Sequence, residues 1–387
     1  MNIIAFSYSD RRSASVRYRV LAPLSWMKRH HGVNVQWIFP GYQPLRVLRA
    51  IRGFLYCRFF ARSKDIILIH KVYSCGIYFK MIKNIIYHTR ATIIYDIDDA
   101  EWWRQPTQGM DTLMRLCDQI HVGSTQLIND LNYLQKPIAH LTSCIHPPHH
   151  IHHGVNKRFH IGWVGGYNSH ELTPEFSHKN AITNLLLPAL ADLPFAITLT
   201  LIGPSREDDI RALQHWAATC SSDINLVIPR ILNWSDEAKL DSLISQWDLG
   251  IALMIDHPFN RAKSAFKAKQ YMKCGVPVIG NRVGDNEAFI IDRHTGYLTE
   301  TTTEVHNALR HHYQLAKVER HAMHQACLSL SPKFHIDEFV KQFFSSIAPI
   351  INHQTEDHHL ETPTADWKAC SIHGERPNLV EANNSVD

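Results

Sequence analysis

The chain has 387 residues, 45% of them hydrophobic and 20% charged, with a formal net charge of +4. That length accommodates two ordinary domains, and that apolar content supplies their cores, which excludes a disordered or fibrous chain. No apolar run reaches the roughly 18 residues a membrane-spanning helix needs, and eight cysteines placed singly, with no CxxC pair, argue for reduced thiols in a cytosolic protein rather than a disulfide scaffold.

The opening MNIIAFSYSDRR has no basic segment ahead of its apolar stretch. Residues 2–7 therefore read as a strand and not as a signal peptide. An amphipathic helix is expected over about 15–31, with Arg17 and Arg19 near its start, and 33–39 is strand-like again. Residues 42–64 mix Arg46, Arg49, Arg52, Arg58 and Arg62 with Leu, Phe and Tyr at helical spacing. That mixture marks a helix lying at a membrane interface, the alternative being a core-packed helix with a basic outer face. Residues 1–90 hold sixteen Lys and Arg against two acids, a balance of +14, while the remainder holds 24 against 34, a balance of −10. Such asymmetry points to an anionic partner: a membrane face, a phosphorylated acceptor or nucleic acid.

Three short apolar runs follow at 65–70, 92–96 and 119–123, separated by helical stretches. Short β-rich runs alternating with helices predict a parallel sheet covered on both faces. His70 ends the first of these runs, and IIYDIDDAEWW places Asp96, Asp98 and Asp99 at the end of the second, where α/β proteins build sites. Three carboxylates in four residues repel one another and need a reason. Two are open: a metal-binding DxD, or an acceptor-side site needing no metal.

Residues 143–158 contain prolines, a glycine and the crowded His146, His149, His150, His152 and His153. Their spacing lacks the order of a zinc motif, so the stretch reads as a flexible linker, bounded at 146–158. A second series of strands starts at Phe159 and continues near 196–202, 225–228, 249–254 and 276–279. IGWVGGYNSH ends the first of these in Gly165 and Gly166, which would let a phosphate approach the backbone and would equally serve a tight turn. Helices are expected at 302–329 and 335–348, and the polar tail from 353 reads as disordered. The resulting organisation is a domain at 1–145, a linker at 146–158, a second domain at 159–334, a closing helix at 335–352 and a tail at 353–387. Each domain is read as doubly wound and Rossmann-like, the two facing each other across a cleft.

The most specific run is DLGIALMIDHPFNRAKSAFKAKQYMKCGVPVIGNRVGDNEAFIIDRHTGYL, residues 248–298. A helix is expected over about 263–273, closed by Gly275, with Lys263 and Lys267 one turn apart near its N-terminus, where free N–H groups favour an anion. Over about fifty residues this strand–loop–helix–strand run resembles the donor-binding half of retaining GT-B glycosyltransferases of family 4, whose pattern is roughly DIG–PL–D–W–GK–FK–QYMA–G–PVV. The opening SASVRYRVLAPLSWM, with Arg17 and Arg19, and the acidic run of 93–103 are similar to first-domain segments of the same subgroup.

The resemblance implies a GT-B fold and transfer of a sugar from a nucleotide-sugar to a glycan or lipid-linked acceptor with retention, in cell-surface polysaccharide or glycolipid synthesis. It implies Lys263, Lys267 and His70 as the catalytic set. Gly165, Gly166, Ser264, Gln270 and Glu287 would bind the donor, and Arg17, Arg19, Asp96, Asp98 and Asp99 would lie on the acceptor side. Glu287 reads equally as an acid placed to suit a helix dipole. No cofactor or divalent metal is expected. The pattern departs from many family members at one pair: the acids of Glu–x7–Glu are replaced by Ala262 and Gln270, although Gln270 can still hydrogen-bond a diol. Two rivals remain, a non-catalytic nucleotide- or glycan-binding protein of the same fold and a basic nucleic-acid-binding protein, the latter without any nucleic-acid motif. The expected location is cytoplasmic, peripheral on the inner face of a membrane.

Overall fold

The computed structural model describes residues 1–41, 43–73, 76–152, 154, 156–168, 173–230 and 233–357. The β-branched runs form two all-parallel sheets. The first comprises β1 (Asn2–Ser7), β2 (Asn34–Ile38), β3 (Ile66–His70), β4 (Thr92–Ile97), β5 (Gln119–Val122) and β6 (Ile138–His140), in the order β2-β1-β3-β4-β5-β6. The second comprises β7 (Phe159–Val164), β8 (Ile197–Ile202), β9 (Ile224–Val227), β10 (Leu249–Ala252), β11 (Val278–Asn281) and β12 (Gly296–Thr299), in the order β12-β11-β10-β7-β8-β9. Helices cover both faces, so central strands such as β3 and β4 are buried along their whole length. The architecture is the expected pair of doubly wound, Rossmann-like units. β6 and β12 are edge strands that the sequence reading did not expect.

Several boundaries differ from expectation, each for a local reason. The first helix opens as a π-helical turn, Val16–Leu21, before continuing as Ala22–His31, where Gly32 in the left-handed region stops it. The segment 302–329 is two helices, Thr302–Gln314 and Lys317–Leu330. The closing helix runs Ile336–Asp357, past the point where the tail was expected to begin; the rest of the tail, and His153, lie outside the described residues. The lysine helix is Phe266–Lys273 and not 263–273, because Ala265 takes a left-handed conformation (φ 51°) that breaks it from a short turn of helix, Pro258–Arg261. Gly275, at φ 76°, terminates it as expected.

The chain crosses between the two units twice. Ile145 N–H donates to Phe334 O at 3.1 Å, and Ile145 bridges His335, so both crossings run side by side. After the second, Ile336, Phe339, Val340, Phe343 and Ile347 return to the core of the first unit, beside Ile3, Val16, Leu24 and Met27. In the histidine-rich crossing, His149 N–H donates to Asp241 Oδ2 at 2.9 Å, and the His152 ring stacks on His324 at 4.0 Å. No helix of the described residues is long and apolar enough to cross a membrane.

Candidate active site

In both sheets strand order reverses beside a central strand, between β1 and β3 and between β7 and β10. Loops diverge at such points and leave a crevice beyond the carboxyl ends of the strands. The register then dictates which side chains meet there. Ser7 lies opposite His70, His70 opposite Asp96, and Asp96 opposite His121. The two crevices face each other across one cleft of about 1200 Å³.

On the first-unit wall a hydrogen-bonded chain runs inward from the cleft. Ser15 Oγ donates to Asp98 Oδ2 at 2.6 Å and lies 2.9 Å from His70 Nε2. His70 Nδ1 lies 2.7 Å from Asp96 Oδ1, and Arg19 clamps the same carboxylate with Nε at 3.1 Å and with Nη2. Ser15, Arg17, Asp98 and Asp99 line the cleft, whereas Arg19, His70 and Asp96 are buried behind it. Burial alone would raise the Asp96 pKa; the Arg19 charge and the His70 hydrogen bond outweigh it and hold the carboxyl well below the usual carboxylate range.

Lys71, which the sequence reading passed over, resolves the crowding of acids. It follows β3 in a left-handed conformation, φ 51°, and its buried ammonium reaches Asp98 at 3.0 Å, Asp99 at 2.8 Å and Glu101 at 2.6 Å. Burial opposes its charge, yet the three carboxylates raise its pKa. Asp99 also accepts from Lys263 Nζ at 2.7 Å across the cleft. Against its own burial, the Lys263 and Lys71 charges keep its carboxyl well below the ordinary range. All three acids of the DxDD run are thus already paired with protein cations. Among the described residues, no group of three His, Cys, Asp or Glu is placed to hold a metal ion.

The second-unit wall is built by the loop after β7 and the segment after β10. Gly165, Gly166, Lys263, Ser264, Lys267 and Gln270 all line the cleft. Gly203, at φ +140°, brings its backbone against Gly165: a Cβ there would lie 1.9 Å from Gly165 O. A Cβ on Gly165 would meet Lys267 Cε at 2.9 Å. The glycines therefore let the loop and the lysine share one small space. Lys267 Nζ lies 3.0 Å from His178 Nε2 and 6.0 Å from the centre of the Trp163 ring. Its pKa falls to about 7, first because burial penalises the charge and then because Lys263 repels it, with Asp99 opposing. Lys263 sits ahead of the helix rather than on its face, with its ammonium 4.2 Å from the centre of the Phe259 ring.

Glu287 is placed elsewhere. Its exposed carboxylate pairs with Arg282, and it is not among the residues lining the cleft. Beyond Lys71, the sequence reading also missed His178, Ser15 and the buried Lys269. Lys269 Nζ donates to Thr142 Oγ1 at 2.6 Å and Ser143 O at 2.7 Å, tying the lysine helix to the crossing segment. The Tyr18 and Phe266 rings, 4.5 Å apart, pack the two walls together at the cleft floor.

No protein-family model matches this chain, and no curated protein matches it by sequence. Solved structures match its fold. Sucrose-phosphate synthase from Thermosynechococcus elongatus superposes with a TM-score of 0.66 at 12% identity, covering 91% of this chain and 99% of that one. A glycosyltransferase from Rickettsia africae gives 0.65 at 12% identity, covering 92% and 99%. Anabaena HepE in complex with UDP-glucose gives 0.61 at 13% identity, covering 90% and 100%. The chain has the GT-B glycosyltransferase fold, two Rossmann-like domains facing across a cleft. It is distantly similar in structure to glycosyltransferases that use nucleotide-sugars.

Proposed function

We propose that this protein is a retaining glycosyltransferase that moves a sugar from a nucleotide-sugar to a glycan or lipid-linked acceptor, acting at the cytoplasmic side of a membrane in cell-surface polysaccharide or glycolipid synthesis. One observation carries the reading. Lys263, Lys267 and the Gly165–Gly166 backbone converge on one wall of the cleft, while Ser15, Arg17, Asp98 and Asp99 line the opposite wall. The first set suits a diphosphate and the second a polyhydroxylated acceptor.

The chemistry follows from that division. As the bond between the anomeric carbon and the diphosphate oxygen breaks, negative charge grows on the leaving diphosphate. Lys263 and Lys267 stabilise that charge from fixed positions, and the glycines let it come close to them. The acceptor hydroxyl bonds to the anomeric carbon from the same face, and its proton passes to the departing phosphate oxygen. His70 does not reach the cleft directly; it holds Ser15, which does. We assign His70 a positioning role, with Ser15 and Asp98 presenting the acceptor.

HepE is described with UDP-glucose, which makes UDP and UDP-sugars the first ligands to try. Titration calorimetry with UDP should show binding. Lys263→Ala and Lys267→Ala should each weaken it by roughly 1.5–3 kcal/mol, the value of a charge-assisted phosphate contact. Unchanged affinity in both variants would remove the donor assignment. The missing carboxylates at Ala262 and Gln270 favour one rival, a binding protein of the same fold. Tight nucleotide binding without release of UDP from any nucleotide-sugar and acceptor would select it.

A further inference from the structure

The proposed reaction makes no use of the basic, aromatic stretch of the first domain. It forms the Pro44–Phe59 helix, and the structure sorts its residues by face. Ala50, Gly53, Phe54 and Cys57 pack on the sheet, and a Cβ on Gly53 would collide with Ile38 Cδ1. Arg46 turns inward too, its guanidinium 4.6 Å from the centre of the Phe39 ring. The opposite face carries Leu48, Ile51, Leu55 and Phe59, spaced i, i+3, i+7, i+11, and it is open: Leu48 is 52% exposed, Leu55 42% and Phe59 63%. Leu45 and Phe60 extend it at 72% and 68%. A surface helix of a globular protein turns polar residues outward. This one presents a second apolar stripe where the solvent should be, a contiguous patch that calls for a partner.

The charges beside the stripe say which. Arg49 and Arg52 flank it and line an open groove of about 710 Å³ between the helix and edge strand β2, together with Trp37, Leu55, Tyr56 and Phe60. The two acids of residues 1–90 are already engaged. Asp10 pairs with Arg12, and the buried Asp65 is held by Asn2 and Tyr56. Among the described residues no acid pairs with Arg49 or Arg52, so their charge stands beside apolar side chains. A bilayer with anionic headgroups offers the complement of both at once: phosphates for the guanidinium groups and hydrocarbon for the stripe.

We propose that this face seats the protein on an anionic lipid bilayer, with Leu48, Leu55, Phe59 and Phe60 entering the headgroup–acyl boundary and Arg49 and Arg52 holding lipid phosphates. The helix starts just beyond the C-terminal end of the edge strand β2 and runs back along the sheet to its amino end, where Tyr56 meets Asn2 and Asp65. The proposal does not depend on the transfer reaction and survives if that reading fails.

Vesicle co-sedimentation of the full chain provides the test. Binding to mixed phosphatidylglycerol–phosphatidylcholine vesicles should be clear at low salt and fall as salt rises. Each basic residue near such a surface contributes roughly a factor of five, so Arg49→Gln with Arg52→Gln should weaken binding about thirtyfold. A second variant, Leu48→Ser, Leu55→Ser and Phe59→Ser together, should lose vesicle binding at low salt while keeping the wild-type circular dichroism and thermal midpoint, since these side chains are exposed. Equal binding to neutral vesicles, or no effect of either variant, overturns the proposal. So does a wild-type dimer that becomes a monomer in the serine variant with no vesicle binding in either, which would assign the stripe to a second copy of the chain.

Discussion

Lys267 should make donor binding depend on pH in a range where lysine ordinarily does not titrate. In this structure its pKa lies at about 7. A bound diphosphate supplies the negative charge that burial and Lys263 deny it, so the ammonium form is favoured and binding takes up a proton. The sign follows: affinity is greatest below pH 7 and falls as pH rises above it. Each unit of pKa difference corresponds to about 1.4 kcal/mol. With a bound-state pKa near its ordinary value, affinity should therefore drop roughly tenfold between pH 6 and pH 8. The groups facing Lys267 are His178, Lys263 and Asp99. The ligand should be a nucleotide-sugar, whose diphosphate diester does not titrate in this range, and the measurement calorimetry in two buffers of different ionisation enthalpy, which reads proton uptake directly. Lys267→Met should bind weakly with a much flatter profile. A flat wild-type profile, or a full slope retained in Lys267→Met, refutes the reasoning.

Exhaustive chelation should leave transfer intact, since Lys263 and Lys267 stand where a divalent ion would otherwise neutralise the diphosphate; activity lost to chelator and restored by manganese would return the DxD run to a metal role. Asp99→Asn frees Lys263 from its ion pair, so UDP should bind a few-fold tighter, on the scale of about 1 kcal/mol for a partly exposed pair, while turnover falls because the acceptor wall is altered; weaker UDP binding would contradict the competition. Asp96→Asn leaves Arg19 buried without its counter-charge and should cost roughly 3–5 kcal/mol in urea unfolding at neutral pH. Because the Asp96 pKa is depressed on folding, that stability is present above about pH 4, and the gap between wild type and variant should narrow as pH falls further. Gly203→Ala drives a methyl against Gly165 O and should abolish UDP binding while β7 and β8 stay folded by circular dichroism.

The parts of this structure legible in the sequence are those set by short-range pattern. IILIH over β3 and TIIYDI over β4 announce strands buried on both faces, and seeing such runs alternate with helices is enough to expect parallel sheets. Lys263, Lys267, Gly165 and Gly166 were legible because they fall in one contiguous stretch with recognisable spacing, or at the end of the first strand of the second domain. What the sequence concealed is set by tertiary contact. Ser15 meets His70 and Asp98 from 55 and 83 residues away, and no local signal marks that serine among its neighbours. Lys71 and Ala265 sit at left-handed positions that neither residue type advertises. The break at Ala265 is why the helix starts late and why Lys263 became a cross-cleft residue instead of a face-mate of Lys267. Arg19 was legible as a cation and misleading in direction, since it faces Asp96 and the Leu141 carbonyl from within the core.

These concealed residues explain how the acidic wall can coexist with an anionic donor. A diphosphate approaching Lys263 must draw it from Asp99, which would strand a nearly buried carboxylate if nothing else held it. Lys71 prevents that. It binds Asp98, Asp99 and Glu101 together, so Asp99 keeps one cation after Lys263 leaves. In the same way Arg19 compensates Asp96 without depending on anything in the cleft. The first-unit wall thus carries its own counter-charges, while Lys263 is shared between the two walls. On the proposed donor role of Lys263, donor binding and the contact between the domains are coupled through that ammonium: whatever takes Lys263 from Asp99 also releases one tie across the cleft.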